Sequence, residues 1–297
     1  MPRQALIHGT RFLIRGSIWR NGGNISYIGG EVKQARTRLA MPIPRTPQPA
    51  PIALVGAGPG GADLLTLRAL RLIEAADVVI HDRLVGADIL GLARGDALLV
   101  AAGKEGFGPS TPQQAINALI VGHAQTGARV VRLKGGDPVL FGRLDEELEA
   151  IDAAGLAYEI VPGITAASAA AAAIGQSLTQ RGRNSGIRLL TGHDMDGFAD
   201  HDWRALARPG EVAALYMAKR AARVIQGRLM MHGAAPDTPV TLVANAALTD
   251  QRILATTLAD WPADLAEAGL NGPALTFIGL APRAARKEIP HFIQELA

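Results

Sequence analysis

The feature that most limits the fold is a repeated alternation, starting near residue 51, of short apolar runs with longer segments of helical spacing. Residues 52–55, 77–81, 97–101, 129–133 and 158–161 have the length and near-continuous hydrophobicity of strands buried on both faces. Between the first two, Leu64, Leu67, Leu70 and Ile73 recur at three-residue spacing and fit one helix. Thr111 as N-cap, Pro112 at the first helical position and Gln114 three residues after the cap open another. Strand–helix repetition of this kind favours a parallel sheet with helices on its faces. A second set of strand candidates at 187–191, 212–217, 240–244, 252–256 and 274–279 is joined by more varied connections, with a helix near 219–231. The pattern therefore reads as α/β with two domains, 51–165 and 166–283, and a ligand cleft between them.

Composition narrows the chemistry. With 48% hydrophobic residues, 34 Gly and 18 Pro in 297 residues, the chain has the makings of a large, turn-rich core. It contains no Cys, which excludes disulfides, thiolate nucleophiles, Cys-ligated zinc and iron–sulfur clusters. The net charge of +3 is uneven. Eight of the 30 basic residues but one of the 27 acidic ones fall within 1–50, leaving 22 basic and 26 acidic groups in the remainder. No dense Lys/Arg run is present, so nucleic acid is not an expected partner. Residues 1–50, ending in a run with Pro at 42, 44, 47, 49 and 51, read as a basic, disordered extension, and 284–297 as a C-terminal tail. The Ala-rich stretch 166–174 is too short for a membrane span of ~20 apolar residues and reads as a core helix. The seven His residues show no metal-ligand spacing, and His193 reads as a turn residue, so no metal is expected.

Four motifs close strands of the first set. Gly56-Ala57-Gly58-Pro59-Gly60-Gly61 matches the glycine spacing of a dinucleotide-binding turn, but Pro59 removes one N–H from a phosphate nest. A tight turn serving another ligand fits better, with a nicotinamide-dependent oxidoreductase as the alternative. Arg132-Leu133-Lys134-Gly135-Gly136-Asp137-Pro138, followed by Phe141-Gly142-Arg143, offers main chain to a ligand at a strand end, where open α/β sheets bind. His81-Asp82-Arg83-Leu84-Val85 and Gly103-Lys104 end two further strands. Each alone is an ordinary turn, but four at one sheet edge suggest a shared site.

With Val161-Pro162-Gly163-Ile164-Thr165 and Thr191-Gly192-His193, these motifs resemble the tetrapyrrole methyltransferases, in consistent order from about residue 51 to 282. The resemblance is strongest to members that methylate uroporphyrinogen III twice to give precorrin-2, at the start of the branch to sirohaem and cobalamin. It implies the tetrapyrrole methyltransferase fold, a cytoplasmic homodimer, S-adenosylmethionine as methyl donor and a small-molecule tetrapyrrole as substrate. It places the cofactor against Pro59, Gly135, Gly136, Asp137, Leu140, Thr165, Ala166, Met217 and Ala246, and assigns Asp82 as proton acceptor and Lys104 as proton donor. Arg83, Lys134, Arg143, Arg181 and Arg183 are then candidates to pair with substrate carboxylates, together with Lys104. The chain departs from the family pattern at Gly61, Glu105, Pro109, Leu144, Asp145 and Gln180. No dehydrogenase or chelatase domain precedes the motifs, so the reaction is expected to stop at the dimethylated product. Another precorrin methyltransferase, or a non-catalytic tetrapyrrole carrier, would share much of this pattern.

Overall fold

The computed structural model describes residues 52–102, 111–194 and 197–283. Ten strands form: β1 Ile52–Gly56, β2 Val78–His81, β3 Leu98–Ala101, β4 Val130–Lys134, β5 Tyr158–Val161, β6 Arg188–Thr191, β7 Ala213–Tyr216, β8 Pro239–Ala244, β9 Arg252–Thr257 and β10 Ala274–Ile278. Eight helices connect them: α1 Leu67–Ala75, α2 Ala87–Leu90, α3 Gln113–Gln125, α4 Leu144–Ala153, α5 Ala166–Ala173, α6 Trp203–Leu206, α7 Ala222–Met231 and α8 Trp261–Ala268.

The first sheet has the order β3-β2-β4-β1-β5, with every pair parallel. Period-two alternation sorts its side chains onto two faces. Ala53, Val55, Val131 and Leu133 pack with Ala69 and Ile73 of α1, while Ile52, Leu54, Val130 and Ile80 pack with Ile116 and Ile120 of α3 and Ile151 of α4. The outer strand β3 departs from the expectation of burial on both faces. As an edge strand it leaves Leu98 and Leu99 exposed.

The second sheet has the order β6-β7-β10-β8-β9 and is mixed: β6 and β7 are parallel, whereas β7-β10, β10-β8 and β8-β9 are antiparallel. Consequently β6, β7 and β8 run the same way, and the loops that follow them emerge at one edge. Its two faces carry separate cores. Trp203, Ile225, Leu229 and Trp261 fill one; Ala167, Ala170, Ala171 and Ile174 of α5 fill the other with Val243 and Phe277. The poly-Ala helix thus packs closely on the second sheet, small side chains letting its backbone approach.

Two helix starts differ from the sequence expectation. Leu64 closes a short 3-10 turn, Ala62–Leu64, and α1 begins only after Thr66, whose hydroxyl accepts the Ala69 N–H at 3.1 Å. For α3, Pro112 rather than Thr111 occupies the N-cap, and its carbonyl accepts from Ala115 and Ile116. No helix among the described residues is long and apolar enough to cross a membrane.

Candidate active site

Parallel strands β1, β2 and β4 deliver their following loops to one edge, and the closeness of those loops is set by glycine. The Ala57 N–H donates to the Lys134 carbonyl at 2.7 Å, and Gly58 and Gly136 exchange both backbone hydrogen bonds, at 3.1 and 2.7 Å. The amides of Ala57 and Gly58 are therefore spent on the carbonyls of Lys134 and Gly136 and do not form a phosphate nest. This removes the basis of the dinucleotide reading. A Cβ on Gly163 would overlap the Gly136 carbonyl oxygen, so the loop after β5 also lies against this one. At Gly136, with φ +72°, a Cβ would meet nothing within 4 Å; the glycine lets the chain turn beside open space.

The second sheet closes the site from the other side. Space above Gly60 is filled by the Leu248 side chain, and space above Gly61 by the Ala247 carbonyl. Tyr216, at the end of β7, hydrogen-bonds through its hydroxyl to the Thr165 hydroxyl and receives the Ala167 N–H at 3.4 Å. Its ring also packs on Phe141, with centroids 5.0 Å apart. Through these contacts the loop carrying Gly135 and Gly136 lies against Gly58 and Gly163, Gly60 lies against Leu248 and the Ala246 carbonyl, and Thr165 is tied to Tyr216, so these loops approach one another around the open trough beside Gly136. Tyr216 was not among the residues named from the sequence, though a tyrosine ending a strand beside Met217 is the kind of residue that can both pack and hydrogen-bond. Phe141, Arg143, Met217, Asn245 and Ala247 are the described non-glycine residues with positive φ, between 52° and 64°. All five lie in loops bordering this trough, where backbone strain is commonly retained for function.

Beneath the trough lies a chain of buried charge. Arg132 and Lys134 alternate with Val131 and Leu133 on β4, so both point to the face covered by α4, where Glu147 stands one turn before Ile151. The Arg132 guanidinium donates to Glu147 Oε1 at 2.9 Å and to Asp82 Oδ1 at 2.5 Å. Lys134 Nζ lies 2.7 Å from Glu147 Oε2, an ion pair off the ideal hydrogen-bond direction. Glu147 is 0% exposed and Arg132 3%, whereas the Asp82 side chain is 29% exposed. Burial pushes the Lys134 ammonium below the usual lysine value, Glu147 opposes that fall, and nearby Arg132 adds to it.

The expected substrate contacts separate accordingly. Lys134 is not a surface cation for substrate carboxylates: it is buried under Gly142 and neutralised by Glu147. Arg143 is exposed and forks onto both Glu146 oxygens at 2.6 Å. Arg83 is exposed and makes no ion pair among the described residues. Arg181 and Arg183 lie in the loop preceding β6, at the opposite end of the β6–β7 pair from Met217, and Arg183 donates to Ser177 O and Asn184 Oδ1. They are not brought to the trough. Lys104, Glu105 and Pro109 lie outside the described residues, as do 1–51 and 284–297. His193 is a turn residue: its Nδ1 pairs with the Met217 carbonyl at 2.9 Å, and its ring packs on Phe198. Among the described residues no group of His, Asp or Glu is arranged to hold a metal ion.

Two sheets whose strand-end loops approach one another, at Gly60 and Leu248 and at Thr165 and Tyr216, define the class as a two-sheet α/β protein. Residues 51–262 match the family model for Tetrapyrrole (Corrin/Porphyrin) Methylases. The chain belongs to that family. It is 48% identical over 229 residues to the siroheme synthase of Methylococcus capsulatus, covering 77% of this chain and 48% of that protein. The siroheme synthase of Acinetobacter baylyi is 46% identical over 228 residues, covering 77% and 50%. The chain thus spans about half the length of the curated relatives it matches. Among solved structures, the uroporphyrin-III C-methyl transferase from Thermus thermophilus complexed with S-adenyl homocysteine is 36% identical, with TM-score 0.65, over 77% of this chain and 96% of that one. A cobalt precorrin-4 methyltransferase gives TM-score 0.70 at 26% identity, covering 77% and 94%.

Proposed function

We propose that the protein is an S-adenosylmethionine-dependent C-methyltransferase that methylates uroporphyrinogen III twice, giving precorrin-2. What supports this reading is the close approach of the Gly135–Gly136 loop to Gly58 and Gly163, with Thr165 before α5 bonded to Tyr216 beside the left-handed Met217, and a part-exposed carboxylate, Asp82, at the neighbouring strand end. Main chain at Gly136, turned left-handed beside open space, offers the donor a place against the backbone. When bound there, S-adenosylmethionine supplies an electrophilic methyl on a positive sulfur, so the protein needs no nucleophile of its own.

The chain's own residues then orient and move protons. Backbone at Gly135, Gly136 and Asp137, with Pro59, Leu140, Thr165, Ala166, Met217 and Ala246, holds the donor. Asp137 stiffens its loop by accepting the Val139 N–H at 3.0 Å. Asp82 accepts the proton released from the macrocycle: Arg132 pins one carboxylate oxygen, and the other makes no hydrogen bond among the described residues. Lys104 is the proposed proton donor. Arg83 and Arg143, both exposed, are the proposed partners of substrate carboxylates, Arg143 by exchanging its exposed partner Glu146. The first sheet with its helices, 51–165, and the second, 166–283, act as the two domains of a cytoplasmic homodimer. The decisive experiment is an anaerobic reaction with S-adenosylmethionine and enzymatically generated uroporphyrinogen III, read by mass spectrometry. A gain of two methyl groups is expected. No gain, alongside methylation of precorrin-2, would move the protein to a later step.

A further inference from the structure

Methyl transfer and substrate capture leave Glu147 without a direct task, yet it is the hub of the buried charge chain. Asp82, Arg132, Glu147 and Lys134 alternate in sign through contacts of 2.5, 2.9 and 2.7 Å, and their formal charges cancel. Replacing such buried ions by apolar side chains is often neutral or stabilising, so stability alone does not account for them. Their position is informative. Lys134 immediately precedes Gly135, and both buried cations lie directly beneath the loop proposed to hold a cation.

The methyl donor and its spent form differ in charge as well as in one carbon. S-adenosylmethionine carries a sulfonium; S-adenosylhomocysteine is a neutral thioether. A fixed, desolvated charge near the binding loop acts on the first and barely on the second, and buried charge is little screened by salt. Resting on the cofactor reading above, we infer that Glu147 is a specificity-determining residue: by cancelling the buried charge of Arg132 and Lys134, it sets the site's preference for the cationic donor over the neutral product. Other charges near the loop do not substitute for it. Arg143 and Glu146 pair with each other at the surface, Arg83 is exposed, Asp82 pairs with Arg132, and Asp137 accepts the Val139 N–H.

Calorimetric titration of the full chain with each ligand separately tests the idea. Glu147→Gln removes the carboxylate that helps hold the proton on Lys134, so it is titrated towards the acid end of the range in which the protein stays folded, where Lys134 keeps its charge. There it is expected to weaken S-adenosylmethionine about five- to tenfold relative to S-adenosylhomocysteine. Lys134→Met, which leaves the cluster with excess negative charge, should shift the ratio the opposite way. The double variant, neutral again, should return it to within about twofold of wild type. Equal weakening of both ligands in Glu147→Gln, with no reversal in Lys134→Met, would reduce Glu147 to packing and overturn the inference. So would a double variant that keeps the altered ratio. Circular dichroism checks each fold; if Glu147→Gln does not fold, the opposite shift in Lys134→Met and its reversal in the double variant decide the matter. Wild-type protein binding neither ligand would instead overturn the cofactor reading itself.

Discussion

The first sheet is wholly parallel and conceals three ionised side chains, Arg132, Lys134 and Glu147; in the second, mixed sheet the buried polar side chains are two threonines, Thr241 and Thr276. The difference follows from topology. A parallel sheet sends every strand's C-terminal loop to one edge, so motifs far apart in the chain converge there. In the second sheet β6, β7 and β8 share that property, while β9 and β10 run the other way. The first lobe therefore concentrates buried charge. The second contributes shape, through Tyr216 and the left-handed turns at Met217, Asn245 and Ala247.

That division can be broken or sharpened by substitution. The largest effect is expected for Asp82→Asn, which keeps the shape of the charge chain but removes the proton acceptor: kcat should fall by about 10²- to 10⁴-fold with donor affinity unchanged in calorimetry. Full activity would end the assignment of proton chemistry to the first lobe. Trp261→Ala, in the core of the second lobe, should cost about 3–5 kcal/mol in denaturant unfolding while leaving the preference between donor and product unaltered. Gly163→Ala introduces a methyl against the Gly136 carbonyl, and the crowding should cost about 1–3 kcal/mol and abolish donor binding. A variant that binds normally would show that the two loops can separate freely.

Tyr216→Phe removes the hydroxyl bonded to Thr165 but keeps the ring on Phe141, so donor affinity should weaken by only about 0.5–1.5 kcal/mol. The smallest effect concerns the opposite edge of the first sheet. There the Arg129 guanidinium and backbone N–H bond Asp77 and hold its carboxyl well below its ordinary value of 3.8, with Arg94 also paired to it. A depressed carboxylate pKa stabilises the fold above the unfolded value, and that contribution fades as pH falls below about 4. Asp77→Asn should therefore slightly lower the thermal midpoint at neutral pH and flatten its decline in acid; an unchanged acid profile would remove Asp77 from the account.

All ten strands were legible in the sequence, because buried strands need near-continuous apolar runs and glycine-rich turns mark their ends. The nine cofactor positions were reached by resemblance alone, because a main-chain contact leaves little trace in residue type. Four-residue helices such as α2 and α6 carry too little periodicity to read. Thr66 was hidden by the Leu spacing that runs through it. Glu147 was missed and Lys134 misplaced for one reason: surface and buried charge look identical in one dimension. A signal was present, since two cations spaced by two in an otherwise apolar strand must find a buried counter-charge.

By itself, the sequence determined the strands and some of the longer helices, the absence of thiol chemistry and the glycines that permit close backbone approach, all of them local properties of residue type and spacing. The tertiary structure decided the strand orders, the edge at which the loops meet, and which charges face water. Those depend on pairings between residues as far apart as Asp82 and Arg132, or Thr165 and Tyr216, and no local pattern encodes the dielectric in which a side chain will finally stand.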